Sequence, residues 1–178
     1  MSNINVIYNN KKINNEDNLT PEETSVKPSV SYNPDNDNSL YTLIMHDPDS
    51  IYGNRIHWLI VNIPGNNLQN GQTILEYTGP SPPAGTGKHR YIFELYKQEN
   101  NIDNINLTER NIEIDDLKNR LSITNLTPEI IMFFSQNTQD PVSGGKKRKR
   151  KTTKGKRSRK SKRSRKSKHR KSKRRKNN

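Results

Sequence analysis

Residues Gly79–Tyr96 read GPSPPAGTGKHRYIFELY, and the fold turns on how this run is understood. Three prolines and three glycines lead into a His-Arg-Tyr triplet, so stiff and permissive backbone alternate before His89. After the triplet the pattern changes to strict alternation. Tyr91, Phe93 and Leu95 fall on one side, Ile92, Glu94 and Tyr96 on the other, which predicts a loop feeding a β-strand over Arg90–Gln98.

Working outward, LYTLIMH (Leu40–His46) is rich in apolar, β-branched and aromatic residues and stops at the turn signal DPDS. HWLIVNI (His57–Ile63) is nearly continuously apolar and closes on Pro64-Gly65, as expected of a central strand buried on both faces. NVIY (Asn5–Tyr8) and VSY (Val30–Tyr32) predict shorter strands, with LTPEET between them as a turn capped by Thr20. From Ile112 to Asn137 the pattern predicts two short helices. Leu117 and Leu121 share one face of the first, and the second starts with Thr127 as cap, Pro128 at its first position and Glu129 in its first turn. The chain therefore reads as mostly β with short C-terminal helices.

Charge divides the chain. Of its 32 Lys and Arg, 22 lie between Lys146 and Asn178 with no Asp or Glu among them, while residues 1–145 hold 10 basic against all 18 acidic residues. The expected organisation is a folded domain over residues 1–142 and a Gly-linked, disordered Lys/Arg/Ser-rich tail over 143–178. That tail holds the repeat RSRKSK at Arg157–Lys162 and again at Arg163–Lys168, and no apolar residue to offset the entropy of ordering. Such a tail binds polyanions through phosphate contacts, weakening steeply with salt. It has no aromatics for stacking on bases. KKRKRK at Lys146 also suffices as a nuclear-localisation patch.

Cysteine is absent, which excludes disulfides, a thiolate metal site and a Cys nucleophile. The first residues lack the apolar region of a signal peptide, and no run approaches membrane-spanning length. The expectation is an intracellular protein that is not secreted, and the Asn-Leu-Thr triplets at Asn18, Asn106 and Asn125 are discounted as glycosylation sites on that basis.

Asp47, Asp49, His57 and His89 each stand at the end of a predicted strand, where one rim of a sheet gathers side chains able to hold a small polar ligand. Taken singly, each histidine also reads as an ordinary strand-end residue and the Asp pair as turn residues. Asp47, His57 and His89 could also form a two-His, one-carboxylate metal site or an acid–base pair for phosphate ester hydrolysis, against which stand the absence of an HxxxH or HExxH element and of an obvious nucleophile.

Three blocks narrow these alternatives. YTLIMHDPDS (Tyr41–Ser50), IHWLIVNIPGN (Ile56–Asn66) and YTGPSPPAGTGKHRYIFELYKQ (Tyr77–Gln98) resemble the phosphatidylethanolamine-binding protein family, in the family's order. The resemblance covers Ile4 to about Asn137. It implies a large antiparallel sheet, a smaller second sheet and flanking helices. It also implies a shallow pocket for phosphate-bearing head groups. By matching motif positions the pocket uses Asp47, His57, His89 and Tyr91, with Pro82 and Pro83 as wall. Imidazole N–H, tyrosine O–H and backbone N–H near Gly85 and Gly87 would donate to phosphate, Asp47 would orient a histidine, and Arg90 would pair structurally with Asp49. Tyr96, Phe133 and Phe134 are assigned to the core.

Departures are as informative. Ile51 stands where the family places proline, Arg55 where it often has an aromatic residue, and Ile56 where it has a companion histidine. Together they favour a more anionic ligand or remove lipid selectivity. The expected protein is a non-enzymatic binder with no cofactor and no metal. Its partners would be a phosphate-containing small ligand or phospholipid head group, nucleic acid or an anionic membrane surface through Lys146–Lys176, and a host kinase or protease. Asn/Ile/Lys-heavy usage and the basic tail also resemble proteins of giant AT-rich DNA viruses of amoebae. That likeness frames an alternative: a basic DNA-associated virion protein with a vestigial pocket, in the virion or the host cytoplasm or nucleus.

Overall fold

The computed structural model describes residues 4–140. The expectations placed on the 143–178 tail and on the boundary at 142 lie outside the described residues.

β1 (Asn5–Tyr8) turns into β2 (Lys11–Lys12) through Asn9 and Asn10, both at positive φ (48° and 66°), the mirror-image turn whose twist suits a two-residue hairpin. β3 (Asp17–Asn18) follows. At the next turn Thr20 N donates to the Glu23 carboxylate at 2.7 Å while Glu23 N donates to Thr20 Oγ1 at 3.2 Å, a reciprocal capping box. β4 (Ser29–Ser31), β5 (Leu40–Asp47), β6 (Arg55–Pro64), β7 (Gln72–Leu75), β8 (Lys88–Lys97), helix α1 (Ile114–Arg120) and β9 (Glu129–Gln136) complete the order.

Two sheets result, one of three strands in the order β2-β1-β4 and one of six in the order β3-β9-β8-β5-β6-β7. The large sheet is antiparallel except where β3 runs parallel to β9. Ile4 and, from the small sheet, Val6 and Tyr8 pack with Leu43, Met45, Trp58, Ile60, Tyr91, Phe93 and Phe133 of the large one in one apolar cluster. A second cluster joins Ile44, Ile56, Leu59, Val61 and Tyr96 to Leu117 and Leu121 around α1. β6 thus contributes to both clusters, as its continuous apolar run requires. No helix among the described residues is long and apolar enough to cross a membrane.

One expectation is corrected. The first C-terminal helix forms as α1, but the segment after Thr127-Pro128 is the strand β9, not a second helix. Ile131, Phe133 and Ser135 are buried while their neighbours are not, a period of two, and β-branched and aromatic residues dominate. β9 pairs along its whole length with β8, from Lys88↔Gln136 to Leu95↔Glu129, and that ladder outweighs a helix-start signal at Pro128 that also suits a strand's first residue. Of the residues assigned to the core, Tyr96 and Phe133 are buried, whereas Phe134 is half-buried under the Lys88 ammonium.

Antiparallel register determines where the polar residues meet. Asp47 at the end of β5 lies opposite Arg55 at the start of β6, and His46 lies opposite Ile92 near the start of β8. The end of β5 and the beginnings of β6 and β8 therefore share one rim.

Candidate functional site

At that rim a cavity of about 310 Å³ is lined by Asp47, His57, Pro82, Pro83, His89 and Tyr91, with Ile51, Tyr52 and Arg55 among the remaining wall residues. All six residues expected from the sequence line this one cavity. A larger open groove of about 940 Å³ beside Lys27, Trp58 and Asn67 is walled by a mixture of amide, hydroxyl and apolar side chains and gathers no comparable cluster of ionisable groups.

Each polar side chain is held by a definite partner. The Asp47 carboxylate accepts from Asp49 N through Oδ1 at 2.8 Å, closing the Asp-Pro-Asp turn, and receives His89 Nδ1 at Oδ2 at 2.8 Å. His89 is occupied at its other nitrogen too, where Nε2 lies 2.8 Å from Thr86 Oγ1. His57 Nδ1 donates to the Thr78 carbonyl at 2.8 Å, but Nε2 has no hydrogen-bond partner among the described residues. Its ring meets Tyr91 edge-on with centroids 5.2 Å apart. Burial lowers the His57 pKa to about 4, with Arg55 and Arg110 adding to the effect, so the imidazole is neutral near pH 7. Burial and the Asp47 carboxylate push the Tyr91 hydroxyl far up, so it stays protonated.

Arg90 behaves as a strut. Asp49 accepts from Arg90 N, Nε and Nη2 at 2.9, 2.9 and 2.7 Å, pinning the turn after β5 to β8 and holding the Asp49 carboxyl below its ordinary range.

Several residues that no sequence pattern singled out complete the site. Arg110 donates to the carbonyls of Ile56 and His57 at 3.2 Å, to Thr78 Oγ1 at 3.3 Å and to the Glu76 carbonyl at 2.8 Å, clamping the loop after β7 against β6. Asn137 Nδ2 donates to the Pro82 carbonyl at 3.0 Å, fixing the proline wall from β9's end. The Asp140 carboxylate accepts Gly85 N at 2.6 Å and Gly87 N at 3.2 Å. The expectation that these glycine amides face a ligand is thereby corrected. Both glycines take positive φ, 85° and 77°, and their N–H groups form a small concave nest filled by a carboxylate of the same chain. Arg110 and Asp140 are far from the motif blocks in sequence and leave no local signature.

The donor set bears on metal chemistry. Among the described residues no group of three or more His, Asp or Glu is placed to hold a metal ion, and Asp47 and His89 spend their facing atoms on each other. The arrangement suits anion recognition: two imidazoles, a protonated phenol and an arginine around a small cavity, with one buried ring nitrogen unpartnered.

Comparison with known proteins agrees with this architecture. The sequence model of the family described as phosphatidylethanolamine-binding protein matches residues 5–133. A 26 kDa secreted antigen of Toxocara canis is 40% identical over 96 residues, covering 51% of this chain and 36% of the antigen. A putative odorant-binding protein A5 of Drosophila melanogaster is 32% identical over 133 residues, covering 70% of this chain and 59% of that protein. The chain thus spans well under two thirds of either relative's length. Among solved structures, a chain of carboxypeptidase Y inhibitor complexed with its cognate proteinase superposes with a TM-score of 0.65 at 22% identity, covering 75% of this chain and 82% of that one. The phosphatidylethanolamine-binding protein from Plasmodium vivax gives a TM-score of 0.59 at 22% identity, covering 75% and 84%. The expectation of an intracellular, non-secreted protein is overturned by the Toxocara relative, which is named as secreted. None of these four is named as viral.

Proposed function

Because this chain belongs to the phosphatidylethanolamine-binding protein family, we propose that its folded domain is a non-enzymatic binder of phosphate-bearing small ligands or phospholipid head groups. Asp47, His57, His89 and Tyr91 form the polar site, and Pro82 and Pro83 its rigid wall. The supporting observation is the convergence of these buried groups on one small cavity in which His57 Nε2 has no partner. Tyr91 donates its hydroxyl, while Asp47 fixes His89 by accepting Nδ1–H, so that the ring does not rotate away from the ligand. Arg55 adds a cation to the cavity wall and favours a more anionic ligand. The basic tail, with 22 Lys and Arg between Lys146 and Asn178, supplies a separate, salt-sensitive hold on nucleic acid or an anionic surface. A protein partner such as a protease belongs to the same proposal, since the inhibitor fold was solved with its proteinase.

The test is calorimetric titration of the full chain with O-phosphorylethanolamine. His89→Ala is expected to weaken binding at least tenfold while leaving the circular dichroism spectrum intact. Equal affinity in the variant and the parent would remove the cavity from the account and leave the tail as the anion-binding element.

A further inference from the structure

Resting on the reading of the cavity as a phosphoryl site, we propose that it selects a phosphomonoester over a phosphodiester, because its unpartnered polar atom accepts a hydrogen bond instead of donating one. His57 Nδ1 lies 2.8 Å from the Thr78 carbonyl oxygen, an atom with no hydrogen to give, and 3.5 Å from Thr78 Oγ1, whose own hydrogen is directed to the His57 carbonyl at 3.3 Å. Nδ1 therefore carries the ring proton, and in the neutral ring Nε2 presents a lone pair. That nitrogen is buried and unpartnered in a residue only 3% exposed, and the residue lines the cavity. Whatever meets Nε2 must bring a hydrogen.

Charged and titratable groups approach the ring from β5, β6, β8 and the segment before α1, with the exposed Tyr52 also lining the cavity. From β5, Asp47 is engaged by His89 Nδ1. On β6 itself, Arg55 reaches only the Asn111 side chain, at 3.4 Å. From the segment before α1, Arg110 donates to three carbonyls and a hydroxyl. From β8 come His89, held at both nitrogens, and Tyr91, held in its protonated state. The two guanidiniums have no carboxylate partner in any of these contacts; both oppose a proton on His57, the Thr78 carbonyl and the Asp47 carboxylate favour one, and burial decides for the neutral ring. The site thus combines two arginines with a buried acceptor.

A phosphodiester at neutral pH brings oxyanions and no proton, so it either faces the Nε2 lone pair or drags a proton onto a ring that the site keeps neutral. A phosphomonoester, whose second pKa is about 6, brings both. Its oxyanions meet the arginine field and its remaining P–OH donates to Nε2. The bound state holds one proton between Nε2 and a phosphoryl oxygen, so a dianionic monoester binds with uptake of one proton from solvent. No bond to phosphorus forms or breaks. A soluble phosphomonoester and a lipid ending in one share this chemistry.

The experiment compares O-phosphorylethanolamine with glycerophosphoethanolamine, a monoester and a diester carrying the same ammonium group. Both are titrated into the full chain at fixed ionic strength between pH 5 and 8.5, in two buffers of different ionisation enthalpy. The monoester affinity is expected to fall about tenfold per pH unit above roughly pH 6.5, with one proton taken up, and to level off below about pH 6. The diester is expected to bind at least tenfold more weakly at pH 6. Tail cations favour the dianion and would slope the opposite way, so the sign of the pH dependence identifies the cavity. His57→Gln, whose amide can donate at every pH, is expected to flatten the profile. Equal affinity for the two ligands, or monoester binding that tightens with rising pH, overturns the selectivity and leaves the phosphoryl site standing. Failure of both ligands to bind at any pH overturns the phosphoryl site itself. Sedimentation with vesicles of phosphatidate in phosphatidylcholine at high salt, with and without soluble monoester as competitor, assigns the source. Competed binding identifies the lipid, and binding of the soluble ligand alone identifies the free ester.

Discussion

Among the groups that titrate on the acid side of neutrality, His57 and Glu94 are held well below their ordinary values, and each has its own pH window. The His57 imidazole is lowered by burial to about 4 from an ordinary value of 6.5, so the unfolded chain binds the extra proton first. Its contribution to stability is complete above pH 6.5 and is lost as the pH falls toward 4. Burial pushes the Glu94 carboxyl up, but contacts with His46, Tyr96 and Lys118 outweigh it and hold the group down at about 2. Tyr96 Oη donates to Glu94 Oε2 at 2.7 Å, and Lys118 Nζ lies 3.2 Å from the same oxygen, tying α1 to the sheet. Because this pKa is lowered, the stability it confers is present above pH 4.5 and is lost as the pH falls toward 2. Each shift corresponds to at most about 3 kcal/mol. Urea titrations across pH 2–7 are expected to show His57→Gln removing the upper slope and Glu94→Gln the lower one. Slopes unchanged in both variants would contradict these assignments. The Arg90–Asp49 strut was legible from Asp-Pro-Asp and His-Arg-Tyr, because residues two apart on a strand share a face, so Arg90 had to point away from His89 and Tyr91.

Among the elements, β9 decides how the site is supported. Phe133 is fully buried, stacks on Tyr91 with centroids 5.4 Å apart and meets Tyr8 edge-on at 5.7 Å, so it links the small sheet to the ring that lines the cavity. Phe133→Ala is expected to cost about 3–5 kcal/mol, through lost transfer energy and the cavity left behind. It should lower the urea midpoint with little change in slope, and a loss below about 1 kcal/mol would show that the sheet collapses around the gap. Sequence reading placed the strands β5, β6 and β8 and the pairing of α1's Leu117 with Leu121, where hydrophobic periodicity is long and unambiguous. It mistook β9 for a helix because Thr127-Pro128-Glu129 opens either element, and only β8 waiting alongside selects the extended form. The alternation of Ile131, Phe133 and Ser135 was the available signal.

For the whole molecule, the division of charge makes the two proposed modes of binding separable by experiment. Removing residues 146–178 is expected to abolish the steep salt dependence of binding to duplex DNA or anionic vesicles, while the soluble monoester still binds in the cavity. Retention of the salt slope by the shortened chain would move the polyanion site onto the folded domain, where residues 1–145 hold 10 basic against 18 acidic residues. Local order along the chain was enough to determine the β-rich class and the strands that carry Asp47, His57, His89 and Tyr91, since each depends on residues within a few positions of one another; Pro82 and Pro83 as a wall came only from the family resemblance. What only the tertiary structure decided depends on groups distant in sequence. Arg110 clamps a loop some 30 residues away, and Asp140 fills the Gly85–Gly87 nest from more than 50 residues away. The Thr78 carbonyl likewise sets which nitrogen of His57 carries the proton. A ring's tautomer depends on the atom across from it. That atom arrives by sheet register and loop closure, which leave no mark in the local sequence.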